Sequence, residues 1–201
     1  RLMPADGLRR AAFLDRDGVI NVDHGYVCRR EDFQFVPGAL AACAQLHRWQ
    51  LALVVVTNQS GIGRGLYGEQ DYRQLADWMR AQFAAAGAPL AGVYHCPHHP
   101  QALLPAYRRA CDCRKPGPGM LLAAARDLSL DLGRSVLFGD KASDIAAAAA
   151  AGIAQRVLLG TDGRALPPPE AAARATARFA SLAEAVHSRL LRAELAPDAH
   201  A

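Results

Sequence analysis

Lysine is nearly missing from this 201-residue chain: only Lys115 and Lys141 occur, and arginine supplies the rest of the 23 basic residues. The basic residues form no block and the formal net charge is a mild +4, so a nucleic-acid partner is not expected. Long apolar runs are missing too. The stretch 51–56 (LALVVV) is far too short to span a bilayer, which takes about 20 residues, and no signal peptide is evident. The expectation is therefore a cytoplasmic protein with no membrane partner. No Gly-Lys-Ser/Thr closes a glycine-rich segment, which excludes a Walker A nucleotide loop. Internal repeats are absent. At this length one domain over 1–201 is expected, with room for a small inserted module.

What is present is an alternation of patterns. Short apolar runs occupy 11–15 (AAFLD), 51–58 (LALVVVTN), 91–97 (AGVYHCP), 134–140 (RSVLFGD) and 154–160 (AQRVLLG). Runs of this length without polar interruption suit strands buried on both faces of a parallel sheet. Helical spacing fills the intervals: 37–49, with Pro37 placed as its opener; 69–86, with Tyr72, Leu75, Met79 and Phe83 in phase; 119–130; and 143–151, closed by Gly152. Ser181 and Glu184 form a capping box before a last helix. The alternation predicts a Rossmann-like three-layer α/β sandwich with a mostly parallel central sheet. The segment 166–170 (LPPPE) reads as a connecting loop, and the tail from about 196 as frayed.

Ligands of such sheets bind beyond the carboxyl ends of the strands. Three of the five predicted strands end there in polar residues: Asp15, Thr57 with Asn58, and Asp140. Asp15 and Asp17 are two apart, so on an extended segment their carboxylates lean the same way and call for a cation or a shared proton. Alone, they could equally be an Asp-rich turn. Asp140 and Asp144 add acids at another strand end, and oxygen-rich carboxylate clusters suit Mg²⁺; Asp144 also suits the cap of the helix that follows. Thr57, Asn58, Ser60 and the glycines at 61, 63 and 65 offer donors for phosphate oxygens, although a glycine-rich segment is more often a plain turn.

Five cysteines occur, at 28, 43, 96, 111 and 113. Cys96-x-His98 is followed after twelve residues by Cys111-x-Cys113. Three sulfurs and an imidazole complete a tetrahedral zinc set with no place for water, which marks a structural site rather than a catalytic one. His99 is a rival ligand, and a disulfide is the alternative that a reducing compartment disfavours. Cys28 and Cys43 read as inert.

The ordered motifs Asp15-Arg16-Asp17-Gly18, Thr57, Lys115 and Gly139-Asp140 resemble those of the haloacid dehalogenase superfamily. Within it, FLDRDGVINVDHGYV, VVVTNQSGIGRG, CPHHPQ, CDCRKPGPGMLL and GDKASD resemble the D-glycero-D-manno-heptose 1,7-bisphosphate 7-phosphatase subfamily, which also includes histidinol-phosphate phosphatases. The resemblance runs from about residue 11 to 190, and Val19 stands where many members have Thr. It implies an Mg²⁺-dependent phosphomonoesterase with no large cap domain and a small zinc loop over about 95–114. Asp15 would be the nucleophile, Asp17 the general acid and base, and Thr57 and Lys115 the phosphoryl-binding pair. Mg²⁺ would sit on Asp15, the Asp17 carbonyl and Asp140. Structural Zn²⁺ would take Cys96, His98, Cys111 and Cys113; the resemblance selects His98 over His99. Substrate contacts would come from Asp15, Arg16, Asp17, Asp23, His24, Gly25, Tyr26, Thr57, Asn58, Gln59, Ser60, Arg114, Lys115 and Lys141. The implied reaction removes the C7 phosphate of a heptose bisphosphate in nucleotide-activated heptose synthesis for lipopolysaccharide, by a monomeric enzyme. Histidinol phosphate is the alternative substrate, and a non-catalytic zinc-stabilised binding module the alternative from another class.

Overall fold

The computed structural model describes residues 7–160 and 173–197. Its centre is a six-stranded sheet in the order β3-β2-β1-β4-β5-β6. The strands are β1 (Ala11–Leu14), β2 (Ala52–Asn58), β3 (Leu90–Cys96), β4 (Val136–Gly139), β5 (Gln155–Leu159) and β6 (Ala177–Phe179), and every neighbouring pair is parallel.

The uninterrupted apolar runs are explained by the two faces of this sheet. Successive side chains of a strand point to opposite sides. Ala12, Leu14, Leu53, Val55, Val136 and Phe138 enter one core, closed by α1 (Ala39–Arg48), α3 (Glu69–Ala85), α6 (Leu182–His187) and α7 (Arg189–Leu195). Ala11, Phe13, Val54, Val56 and Leu137 enter the other, under α4 (Gly119–Leu128) and α5 (Ala142–Ala150). Both faces are thus covered, and the three-layer sandwich read from the alternation is the observed one. Phe138 is fully buried, so truncation to alanine would cost about 3–5 kcal/mol.

Several local expectations need correction. The described residues form six strands, not five: β6 is three residues long, half-buried, and carries Arg178 at its centre, too little pattern to read from sequence. β3 was expected to be buried on both faces but is an edge strand with mostly half-buried residues. Pro37 does not open α1; Gly38 caps it in the left-handed region at φ 77°, where a side chain is disfavoured. At α6, the Ser181 hydroxyl accepts from the Glu184 N–H, but the Glu184 carboxylate accepts from Ala180 rather than from Ser181. The segment 60–63, read as glycine loop, is a helical turn, α2 (Ser60–Gly63). The 166–170 loop lies outside the described residues, as does the expected tail beyond Pro197.

Strand order places the site. From β1 the chain runs outward through β2 to β3, then crosses to β4 on the other side of β1. Crevices open where strand order reverses, at the carboxyl ends. Asp15 follows β1, Thr57 and Asn58 end β2, and Asp140 follows β4.

Candidate active site

Lys115 is at the centre of the cluster. Its Nζ lies 2.9 Å from Asp15 Oδ1 and 2.7 Å from Asp144 Oδ1 and donates to the Val56 carbonyl at 2.9 Å. Three contacts match its three ammonium protons. Lysine, Asp15 and Asp144 are each at most 5% exposed, so the lysine is the charge that makes two buried carboxylates tolerable. Its backbone is fixed as well: Asn58 donates to the Lys115 carbonyl and accepts from its N–H, both at 3.1 Å. Asn58 therefore holds the loop that delivers the lysine.

Asp15, Asp140 and Asp144 bring carboxylate oxygens within 4.8 Å of one another. Burial, with Asp15 nearby, pushes Asp140 up to about 8. Burial also pushes Asp15 up to about 6, against the opposing pull of Lys115. Asp140 Oδ1 is buried with no hydrogen-bond partner. An orphaned carboxylate oxygen beside another acid is a donor set that fits a hard divalent cation such as Mg²⁺. Asp144 serves two purposes: one oxygen meets Lys115, a contact not expected from sequence, and the other accepts from the Lys141 N–H and caps α5. Gly139 is required beside it, because a Cβ there would lie 2.3 Å from Asp144 Cβ.

The Asp17 carboxylate does not join that cluster. It accepts from Arg16 at 2.9–3.3 Å, from Asn21 at 3.0 Å and from Gln59 at 3.0 Å. The Arg16 side chain is 2% exposed and also donates to the Val27 carbonyl, so its guanidinium faces inward rather than toward a ligand. Thr57 is buried, and its hydroxyl accepts from Gln59 at 2.8 Å. Half-exposed Lys141 approaches Asp23 at 3.4 Å and Asp140 at 3.8 Å, tying the 23–26 turn to the β4 end. His24, Gly25 and Tyr26 in that turn are exposed, Ser60 is half-buried at the start of α2, and half-buried Arg114 donates to the His98 carbonyl.

The second cluster is the cysteine set. Ligand atoms of Cys96, His98, Cys111 and Cys113 all lie within 4.8 Å of one another. The sulfurs are 3.0–3.4 Å apart, and His98 Nδ1 is 3.4 Å from Cys113 Sγ. All the cysteines are free. A four-point N/S set of this size is the donor arrangement for tetrahedral zinc. His99 accepts instead from the Gln101 N–H, outside the set. Cys43 is buried on α1, where burial pushes its thiol up to about 12. Gln59 N–H donates to the Cys96 carbonyl, so this loop abuts the end of β2.

Two residues of this arrangement, Asn21 and Tyr67, were not among the candidates from sequence. Asp144 was weighed there as acid and cap, but not as a Lys115 partner. Asn21 had only its place in Asp-Gly-Val-Ile-Asn as a signal. Tyr67, which donates to Gln59 at 2.5 Å, had none.

Comparison with known proteins agrees with this geometry. A HAD-hydrolase-like family model matches residues 112–185. The D-glycero-β-D-manno-heptose-1,7-bisphosphate 7-phosphatase of Photorhabdus laumondii is 52% identical over 151 residues, covering 75% of this chain and 80% of that protein. The chain belongs to this phosphatase family. The Escherichia coli K12 enzyme of the same name is 48% identical over 163 residues, covering 81% of this chain and 85% of that one. Among solved structures, D,D-heptose 1,7-bisphosphate phosphatase from B. bronchiseptica, complexed with magnesium and phosphate, matches with TM-score 0.76 and 32% identity over 92% of this chain and 99% of that one. A HAD-like phosphatase of this family accounts for a lysine buried among carboxylates at the sheet's switch point. No helix among the described residues is long and apolar enough to cross a membrane.

Proposed function

We propose that this protein hydrolyses the 7-phosphate of D-glycero-β-D-manno-heptose 1,7-bisphosphate, acting in the cytoplasm as a monomer in nucleotide-activated heptose synthesis. The observation that carries the reading is Lys115 bridging Asp15 and Asp144 at the β1–β4 switch point. A carboxylate can approach a phosphate dianion only where cations offset both charges, and the site is built to supply them. The β-anomer follows the name of the 48–52% identical relatives.

Asp15 Oδ attacks phosphorus, and the bond to the C7 oxygen breaks as Asp17 passes a proton to it. Water then attacks the aspartyl-phosphate, Asp17 takes its proton, and the bond to Asp15 breaks to release inorganic phosphate. Thr57 and Lys115 hold the moving phosphoryl oxygens. Asp15, Asp140 and the Asp17 carbonyl would hold Mg²⁺, which would supply charge neutralisation between carboxylate and phosphate. Asp144 orients Lys115 from behind. Arg114, Lys141, Asp23–Tyr26 residues and Ser60 form the rim that selects the sugar; Lys141 and Arg114 add positive charge for a second phosphate. Cys96, His98, Cys111 and Cys113 would hold Zn²⁺, which would order the loop that precedes Lys115 as metals order small modules.

The test is a side-by-side kcat/KM on the β- and α-anomers of the heptose bisphosphate and on histidinol phosphate. Preference for the β-anomer is expected; preference for histidinol phosphate would overturn the substrate.

A further inference from the structure

Tyr67 follows the short helix α2 and lies outside every motif that the reaction uses. It is 9% exposed and packs with Ile62 and Tyr72 in a small cluster. Its hydroxyl donates to Gln59 Oε1 at 2.5 Å. Gln59 is itself 2% exposed. Its amide nitrogen has two protons, and both are used: one on Thr57 Oγ1 at 2.8 Å, the other on Asp17 Oδ2 at 3.0 Å.

A primary amide fits such a place in two orientations, related by a half-turn that exchanges its oxygen and nitrogen. In the orientation observed, Thr57 accepts from Gln59, so the hydroxyl proton of Thr57 remains available to a phosphoryl oxygen. In the other, the amide oxygen would take that proton and would stand against the Asp17 carboxylate. Tyr67 favours the first together with Asp17: in the second, the amide N–H₂ would donate to the phenol oxygen and the Tyr67 proton would lose the acceptor it has on Oε1. Burial pushes the Tyr67 hydroxyl well above its ordinary range, which keeps it a donor.

The geometry points to Tyr67 as a positioning residue: by donating to Gln59 it fixes the amide so that Thr57 and Asp17 are both held as hydrogen-bond acceptors, with the Thr57 proton left for the substrate. This rests on the phosphatase reading of Thr57 and Asp17 above. Gly61 supports it independently. A Cβ on Gly61 would lie 2.2 Å from the Tyr67 ring and 2.8 Å from its hydroxyl oxygen, so the bare backbone at Gly61 is what lets the phenol reach Gln59.

The experiment compares kcat and KM on D-glycero-β-D-manno-heptose 1,7-bisphosphate for wild type, Tyr67→Phe, Gln59→Leu and the double variant. Phenylalanine keeps the packing, so a merely structural tyrosine would be replaced without loss. Expected is a fall of about 10–100-fold in kcat for Tyr67→Phe with KM within about twofold of wild type. The double variant should be no slower than Gln59→Leu alone, since Tyr67 acts only through the amide. Gly61→Ala, which keeps the hydroxyl but displaces it, should reproduce the kcat loss and serves if Tyr67→Phe does not fold. A Tyr67→Phe enzyme within about twofold of wild type, or a double variant slowed by the product of the single effects, would overturn the assignment. Activity in Asp15→Asn would count against the phosphatase reading instead. A wild type releasing no phosphate would refute both.

Discussion

Replacing Lys115 with methionine removes the ammonium and keeps most of the side chain's volume. In the native protein that ammonium lies 2.7 and 2.9 Å from Asp144 and Asp15, and all three groups are buried. The variant leaves two buried carboxylates facing each other, with Asp140 close by. Breaking a buried pair by deleting one partner costs about 3–5 kcal/mol, a large share of the roughly 5–15 kcal/mol that holds a domain folded. For a chain of this size that is a fall in melting temperature of about 6–20 °C. The loss depends on pH. A carboxyl whose folded-state pKa is raised is most stabilising when protonated, below its unfolded value of 3.8, and that stability is lost as pH rises through the folded value. Those values are about 6 for Asp15 and about 8 for Asp140 in the native protein, and removal of Lys115 moves Asp15 further up. The deficit should therefore be largest near pH 8 and shrink toward pH 5. The assay is urea unfolding of both proteins in Mg²⁺-free buffer at several pH values, without chelator, which would also remove any zinc held by the cysteine set. A deficit below about 1 kcal/mol at pH 8, or one that grows on acidification, would refute the account of Lys115 as the countercharge of the cluster.

Other consequences can be measured on the same protein. If Asp15 and Asp140 hold Mg²⁺ as proposed, the ion must compete with the protons on them, so the thermal shift produced by a fixed Mg²⁺ concentration should grow from pH 5.5 to pH 8; a flat profile would argue against these carboxylates as ligands. Gly139→Ala should remove Mg²⁺-dependent stabilisation, because its Cβ would overlap Asp144; an unchanged Mg²⁺ titration would contradict that packing. Cys113→Ser should lower zinc content by mass spectrometry and reduce kcat by about tenfold or more through displacement of Lys115 two residues on; zinc-depleted protein with full activity would sever the two sites. Loss of Asn58 in Asn58→Ala should lower kcat in the same direction, since it removes both bonds to the Lys115 backbone.

The sheet and its helices were legible because β1, β2 up to Val56 and β4 are unbroken apolar runs, and in α3 helical phase is maintained through Tyr72, Leu75, Met79 and Phe83, all buried. β6 was not, because a three-residue half-buried edge strand around an arginine has no pattern of its own. The acids at the strand ends were legible because topology alone brings together residues that follow β1 and β4. What could not be read was how each acid is held. Asp15 and Asp17 are two residues apart, yet one faces Lys115 and the other is surrounded by Arg16, Asn21 and Gln59. That division depends on contacts across the fold, as does the Tyr67 hydroxyl on Gln59. Likewise, spacing admitted His98 or His99 to the cysteine set, and the approach of His98 Nδ1 to Cys113 Sγ, fifteen residues on, is a tertiary fact.

The central claim is that Asp15 carries the phosphoryl group of a heptose bisphosphate. Its most direct test is phosphate release from D-glycero-β-D-manno-heptose 1,7-bisphosphate by wild type and Asp15→Asn, each in Mg²⁺ and with matched zinc content. The account predicts turnover by the wild type and none measurable by Asp15→Asn, although the amide preserves the shape of the site. Phosphate release by Asp15→Asn near the wild-type rate would contradict it.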